Sequence, residues 1–302
     1  MRPGVMPPKP GPPPRQTPRR TIVARRLIAL GALAVALLVV GLIVLATHDG
    51  NHAASPTTTA IVQERQFKIV FPEGFDRADM AHRVSVVAKI AQKESHKHVK
   101  LSRTGYLHWS QPRAISGFGS GKRQLEGFLF PALYDFSVHT TSQQLVADQL
   151  AAFRQNWRQV NLSYARSKNL TAYDVLIIAS MVEKEALVPD ERPLVAAVIY
   201  NRLHDHMPLG IDATIRYGLH VPGTKSLTQS DLQSDNPYNT RKLLGLPPTP
   251  IANPGLASMQ AAAHPAHVDY LYYVRKPDKQ HHYFTASYQD FVNHEIAYGY
   301  AK

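Results

Sequence analysis

TAYDVLIIASMVEKEA, Thr171 to Ala186, is the stretch on which the reading of the chain turns. Thr171 with Asp174 three residues on has the pattern of a capping box, which predicts a helix starting after Thr171. At about 100° per residue, Val175, Ile178, Ala179, Val182 and Ala186 fall on one arc. Lys184 points away from that arc. Glu183 lies at one edge, beside Leu176 and Ala179, and Glu185 at the other, beside Ile178. Both acids border the buried face, where desolvation raises a carboxyl pKa and favours a proton donor near neutrality. The alternative is that each snorkels to water or pairs with a Lys or Arg. Periodicity does not choose between the two acids.

The neighbouring elements predict an α+β fold. LEGFLFPALYDF, Leu125 to Phe136, surrounds Glu126 with aromatic and aliphatic residues. An acid in such surroundings is either held by backbone amides or part of a site. Thr141 begins a helix running past Leu150. RPLVAAVIYNRL, Arg192 to Leu203, gives another, ending near His204. Pro208 to Gly255 is rich in Pro, Gly and polar residues and reads as loops, the kind of long segment that tends to carry function. LASMQAAAH is a helix stopped before Pro265. YLYYV and HHYFT form a hairpin, and Ser287 starts a terminal helix. Upstream, QFKIVFPEGF reads as a strand into a turn, and Asp76 caps a helix carrying Met80, Val84, Val87 and Ala91 at helical spacing.

The chain has 302 residues, a formal charge of +12 and no cysteine, so disulfides, thiolate metal sites and thiol nucleophiles are excluded. Residues 1–26 contain seven Lys/Arg and no acid, are rich in Pro, and read as a disordered basic tail. Residues 27–47, LIALGALAVALLVVGLIVLAT, carry no charge and at 1.5 Å per residue span about 30 Å, the thickness of a bilayer core. The apolar run is longer than the core of a signal peptide and predicts an uncleaved single-pass anchor. The basic flank places the tail in the cytoplasm and the bulk of the chain outside. Residues 48–65 form a tether, 66–122 a small α+β subdomain and 123–302 the larger domain. With the basic cluster confined to the tail, a nucleic-acid partner is not expected.

LEGFLFPALYDF, IIASMVEKEA, VAAVIYNRLHDHMPLGIDATIRYGL, NPYNTRKLLGLPPTPIANPGLASMQAAAHPA and YLYYV…HHYFT follow one another in this order. Together they resemble the endolytic murein transglycosylase (MltG, or YceG-like) family, over about Leu125 to Tyr300. The anchor and the small module fit that family, in which the module resembles a LysM-like subdomain. The resemblance implies an inner-membrane enzyme that cuts the MurNAc–GlcNAc bond within nascent peptidoglycan strands and leaves 1,6-anhydro ends. It needs neither metal nor diffusible cofactor, and its partners include glycan-synthesising enzymes. It implies the first glutamate of the EKE element, Glu183, as the catalytic acid. It also implies Asn201, Asp212, Tyr238 and Asn239 as sugar contacts; Glu126, from its own surroundings, is a further candidate for the site. The chain departs from the family at Asp212-Ala213-Thr214, commonly DPT, and at Thr249, commonly Gly.

Two other classes compete. Fifteen histidines, including the HDH of His204 and His206 and the adjacent His281 and His282, raise a zinc amidase or peptidase, although no HExxH spacing is present. A non-catalytic, membrane-anchored wall-binding scaffold is the second.

Overall fold

A computed structural model describes residues 64–301. The basic tail, the anchor expected at 27–47 and nearly all of the tether lie outside the described residues. No helix among the described residues is long and apolar enough to cross a membrane.

The first strand, β1 (Phe67–Val70), runs into the turn Pro72–Phe75 and then α1 (Arg77–Ser95), whose N-cap Asp76 accepts from the Asp79 N–H at 2.7 Å. α2 (Arg103–Trp109), β2 (Arg113–Ala114) and β3 (Lys122–Arg123) follow, then β4 (Leu133–Phe136) and α3 (Ser142–Trp157). After α4 (Ser163–Ser167) comes α5 (Ala172–Glu185), the helix of the quoted stretch, then a 3₁₀ turn at Pro189–Glu191 and α6 (Arg192–His204). The loop-rich region holds two short helices that its Pro and Gly content hid, α7 (Asp212–Leu219) and α8 (Gln229–Gln233). Last come α9 (Leu256–Ala263), the hairpin β5 (Tyr272–Arg275) and β6 (His282–Thr285), and α10 (Tyr288–Ala297). The expected caps form at Thr141, Thr171 and Ser287, the first two as complete capping boxes.

The described residues all belong to one compact unit, and hydrogen bonds cross the expected boundary near residue 122. β1 pairs antiparallel with β4, Phe67 opposite Phe136 and Val70 opposite Leu133, so one sheet joins the small module to the region beyond it. β2 pairs with β3 across the same boundary. Asn253 tightens the join. Its side chain accepts from Leu129 N–H at 2.9 Å and donates to Phe75 O at 3.0 Å, and its backbone exchanges hydrogen bonds with Gly74 and Phe75.

α5 is the centre of the core. Every residue from Val175 to Val182 is buried, and α9 and α6 pack against the helix. The close approach of α9 follows from its alanines, Ala261, Ala262 and Ala263, all buried. Each fully buried Leu or Ile here contributes about 1.5–3 kcal/mol, which fixes the helix and so fixes where its C-terminal acids point. Ser180, the polar residue in this run, donates to Ile177 O at 2.7 Å and accepts from Ile251 N–H at 3.0 Å, so nothing polar is left unpaired.

Glu126 sits inside this core, 3% exposed. Its carboxyl accepts from the Arg77 N–H with both oxygens at 3.1 Å, from Asn253 Nδ2 at 2.8 Å and from Tyr217 Oη at 3.2 Å. It therefore closes the N-terminus of α1 from within. Gly127 beside it has φ +87°, and a Cβ there would stand 2.8 Å from the Pro250 ring, so the turn that aims Glu126 inward suits glycine.

Candidate active site

α5 ends at Glu185, and the two acids of its last turn meet different surroundings. Glu183 has a side chain only 7% exposed. One oxygen accepts from the Gly255 N–H at 3.0 Å, and the other faces the Arg192 guanidinium at 4.0 Å. The turn at Glu73–Gly74 covers it: a Cβ on Gly74 would lie 3.7 Å from Glu183 Cγ, and a Cβ on Gly255 would overlap the Glu73 carboxyl. Burial first, and then the Glu183 carboxylate, push Glu73 above its ordinary value, while Arg192 pulls it down. Both oxygens of Glu183 thus have protein neighbours.

Glu185 leaves the opposite edge of the helix and forms part of the wall of a cavity of about 920 Å³; Lys184 also lines this cavity, whereas Glu183 is not among its walls. The Tyr273 hydroxyl donates to Glu185 Oε2 at 3.2 Å. Burial raises the Glu185 pKa, and the Asp212 carboxylate adds to the rise; the Tyr273 hydrogen bond, His282 and Arg275 act against it. Burial and then the Glu185 carboxylate hold the Tyr273 hydroxyl well above the usual phenol range, so it remains a donor. A half-dry carboxyl facing a cavity, steadied by one donor, can give a proton away and take one back.

Tyr273 is placed by the hairpin and by groups behind it. The His282 ring stands edge-on to Tyr273, with centroids 5.3 Å apart. Glu191 holds His282 twice, at its backbone N–H and at Nδ1, both at 2.7 Å, with both side chains buried. Asn201 donates to Val268 O at 3.0 Å and Tyr270 O at 2.9 Å, and Arg202 Nε donates to Leu271 O at 2.6 Å. α6 thereby grips the chain just before β5.

Of the residues expected at the site, Asp212 shares the cavity with Glu185 and pairs with Arg241 at 2.6 Å. The others sit in the frame around it. Asn239 is fully buried, and its amide donates to Leu232 O and Ser234 O, shaping the loop that carries Arg241. Tyr238 packs on Tyr217, 5.1 Å between centroids, and hydrogen-bonds Thr249 Oγ1 at 2.7 Å. Thr249 thus uses its hydroxyl where glycine is common. Asn201 and Glu126 have their polar groups taken up inside the protein, as described. Periodicity in Arg192–His204 and Tyr272–Arg275 held no signal for Arg202 or Tyr273; the only hint was a tyrosine at alternating register with Arg275 in YLYYVR. Among the described residues, no group of three or more His, Asp or Glu side chains stands close enough to hold a metal ion. His281 pairs with Asp278, and His282 with Glu191.

Comparison with known proteins agrees with the architecture. A stretch of the Bacillus subtilis endolytic murein transglycosylase is 38% identical over 155 residues, 51% of this chain and 43% of that protein. The Streptococcus pneumoniae endolytic murein transglycosylase is 38% identical over 178 residues, 57% of this chain and 32% of that one. The chain spans less than half of the length of these relatives. A crystal structure of a YceG-like protein from Listeria monocytogenes superposes with a TM-score of 0.63 at 29% identity, covering 75% of each chain. The sequence profile of the YceG-like family matches residues 47–295, and the chain belongs to that family.

Proposed function

We propose that this protein is a lytic transglycosylase that cleaves the MurNAc–GlcNAc bond within peptidoglycan strands, with Glu185 as its single acid and base. The observation that carries the assignment is the position of the Glu185 carboxyl, on the wall of the 920 Å³ cavity and under the Tyr273 hydroxyl. The family resemblance pointed to Glu183. The geometry favours its neighbour, because Glu183 is engaged by Gly255 and Arg192 and roofed by the Glu73–Gly74 turn. Glu183 is then a positioning residue that ties the end of α5 to the start of α9.

In this scheme, protonated Glu185 donates to the oxygen linking MurNAc to GlcNAc as an oxocarbenium-like centre develops at C1. The GlcNAc end leaves with that proton. The Glu185 carboxylate then takes the proton of the C6 hydroxyl of the same MurNAc, whose oxygen closes on C1. The products are a free GlcNAc hydroxyl and a 1,6-anhydro ring. The Glu185 proton is restored and no water is consumed. Asp212 across the cavity favours the protonated starting state, and Tyr273 favours the intermediate carboxylate. Support for membrane anchoring comes from the uncharged run at 27–47 with its basic flank, which would hold the site against the outer face where strands are made.

The reading is tested by product mass. Purified wall glycan treated with the protein should yield fragments ending in anhydroMurNAc, with EDTA making no difference. Reducing muramic ends, heavier by one water, would show hydrolysis, and loss of activity with EDTA would favour the zinc alternative. No cleavage at all would leave the scaffold reading.

The pH dependence has a sign. Activity requires protonated Glu185, so kcat/KM falls as pH rises through a pKa lying above the ordinary carboxylate value. Tyr273→Phe removes a hydrogen bond that lowers that pKa. Its alkaline limb should therefore move to higher pH. A limb that stays in place, or moves down, would separate Tyr273 from the acid.

A further inference from the structure

The Glu185 cavity has a cationic end that the chemistry above does not use. Six Lys or Arg line it against three acids, Glu185, Asp212 and Glu295. Most of the cations are already engaged. Arg241 pairs with Asp212, Arg202 is held by the carbonyls of Leu271, Pro208 and Leu209, Arg216 by those of Pro222 and Lys225, and Lys184 by that of Gly74. Arg275 and Lys279 differ. Both are exposed, and among the described residues neither side chain has a hydrogen bond or an ion pair.

Their placement follows from the hairpin. Arg275 is two residues beyond Tyr273 on β5, so the two side chains leave the same face about 7 Å apart. That face is the one turned to Glu185, and Arg275 is close enough to act on the Glu185 charge. Lys279 follows in the turn, held at φ +61° with its N–H on Lys276 O at 2.9 Å. Tyr272, on the other face of β5, packs on Tyr288 and Phe291, with centroids 5.6 and 5.3 Å apart, and these rings also line the cavity. The cavity lining therefore offers aromatic rings for a sugar to lie against and two uncommitted cations.

We propose that Arg275 and Lys279 form a subsite for a carboxylate of the peptide stem borne by the MurNAc being cut. The inference rests on the transglycosylase reading. If Glu185 stands at the C1 oxygen of a MurNAc, the stem leaves C3 of that same ring and must pass along a wall of this cavity. Stems carry free carboxylates several bonds out from the ring, whereas glycan stripped of them keeps only the lactyl carboxylate held close to C3. A carboxylate meeting both cations makes charge-assisted hydrogen bonds, the strongest kind available at a surface. Peptide-bearing strands would be preferred over bare ones, and the preference would weaken with salt.

The test uses the full chain and two substrates, wall glycan strands bearing stems and the same strands stripped of them by an amidase. Assayed well below the alkaline limb, where Glu185 is protonated with or without the Arg275 charge, the Arg275→Gln, Lys279→Gln double variant should lose about tenfold in kcat/KM on stem-bearing strands and be unchanged on stripped ones. Equal losses on both substrates, or none on either, would overturn the subsite. So would a loss seen only with strands carrying phosphate-bearing wall polymer, since phosphate would then be the ligand. If the wild type leaves no anhydro ends on either substrate, the transglycosylase reading fails instead. Fluorescence anisotropy of labelled strands then reads the subsite alone: it stands if the double variant binds stem-bearing strands about tenfold more weakly with stripped strands unaffected, and falls if not.

Discussion

Under the proposed mechanism, Glu185→Gln should lower the formation of anhydro ends by at least about a thousandfold, because one side chain would supply both the acid and the base, each of which contributes on the order of a hundredfold or more. The substitution is nearly isosteric. Its amide oxygen can still accept from Tyr273, and a neutral group suits a position where burial already disfavours charge. Melting temperature should therefore hold while turnover vanishes. Glu183→Gln is the matched control. Its amide can still accept from Gly255, and only the approach to Arg192 at 4.0 Å is lost. It should keep activity to within about tenfold. The reverse result, with Gln at 183 abolishing turnover and Gln at 185 tolerated, would return the acid to Glu183 and make Glu185 the positioning residue. Indifference to both substitutions would remove carboxyl catalysis by this helix altogether.

The second large effect concerns the fold. Glu126→Ala leaves the Arg77 N–H, the Asn253 amide and the Tyr217 hydroxyl without their shared acceptor in the interior. An expected loss of about 3 kcal/mol follows from several unsatisfied buried donors, measurable by denaturant unfolding. Burial, with Asp76 adding to it, raises Glu126 to about 8, against an ordinary value of 4.5. Between those two values the folded chain keeps a proton that the unfolded chain releases. The stability this group contributes is full below about pH 4.5 and falls away as pH climbs to about 8. Glu126→Gln should flatten that part of the stability profile. A wild-type profile without the decline, or a glutamine variant that keeps it, would mean the carboxyl is already ionised in the fold.

Much of this architecture was legible because it is local. Caps at Asp76, Thr141, Thr171 and Ser287 need only a side chain and a backbone amide three residues away. α5 declared itself by an apolar run, and the hairpin by two aromatic stretches. What escaped was set by distant partners. The pairing of β1 with β4 joins residues 63 to 69 apart, across the expected boundary near residue 122. α7 and α8 form despite the Pro and Gly around them because Thr214 and Asn239 are buried and bonded. The choice between Glu183 and Glu185 was of the same kind. A helical wheel puts both at the margin of the buried face, and only the arrival of Gly255 and Arg192 on one side, and of Tyr273 on the other, tells them apart. Asn201 and Asn239 were expected as sugar contacts; their amides instead bond carbonyls such as those of Val268 and Ser234, whose positions depend on distant parts of the chain.

Glu185 is the last residue of α5, with Ala186 already extended at ψ 111°. The peptide dipoles of a helix add up to a partial negative charge at that terminus. An acid there pays to ionise and so still carries its proton at a higher pH, whereas the same side chain in the opening turn would be drawn toward the anion and would meet the substrate already deprotonated. Reversing the direction of this one helix, with every side-chain neighbour kept, would by itself leave that carboxyl less often protonated.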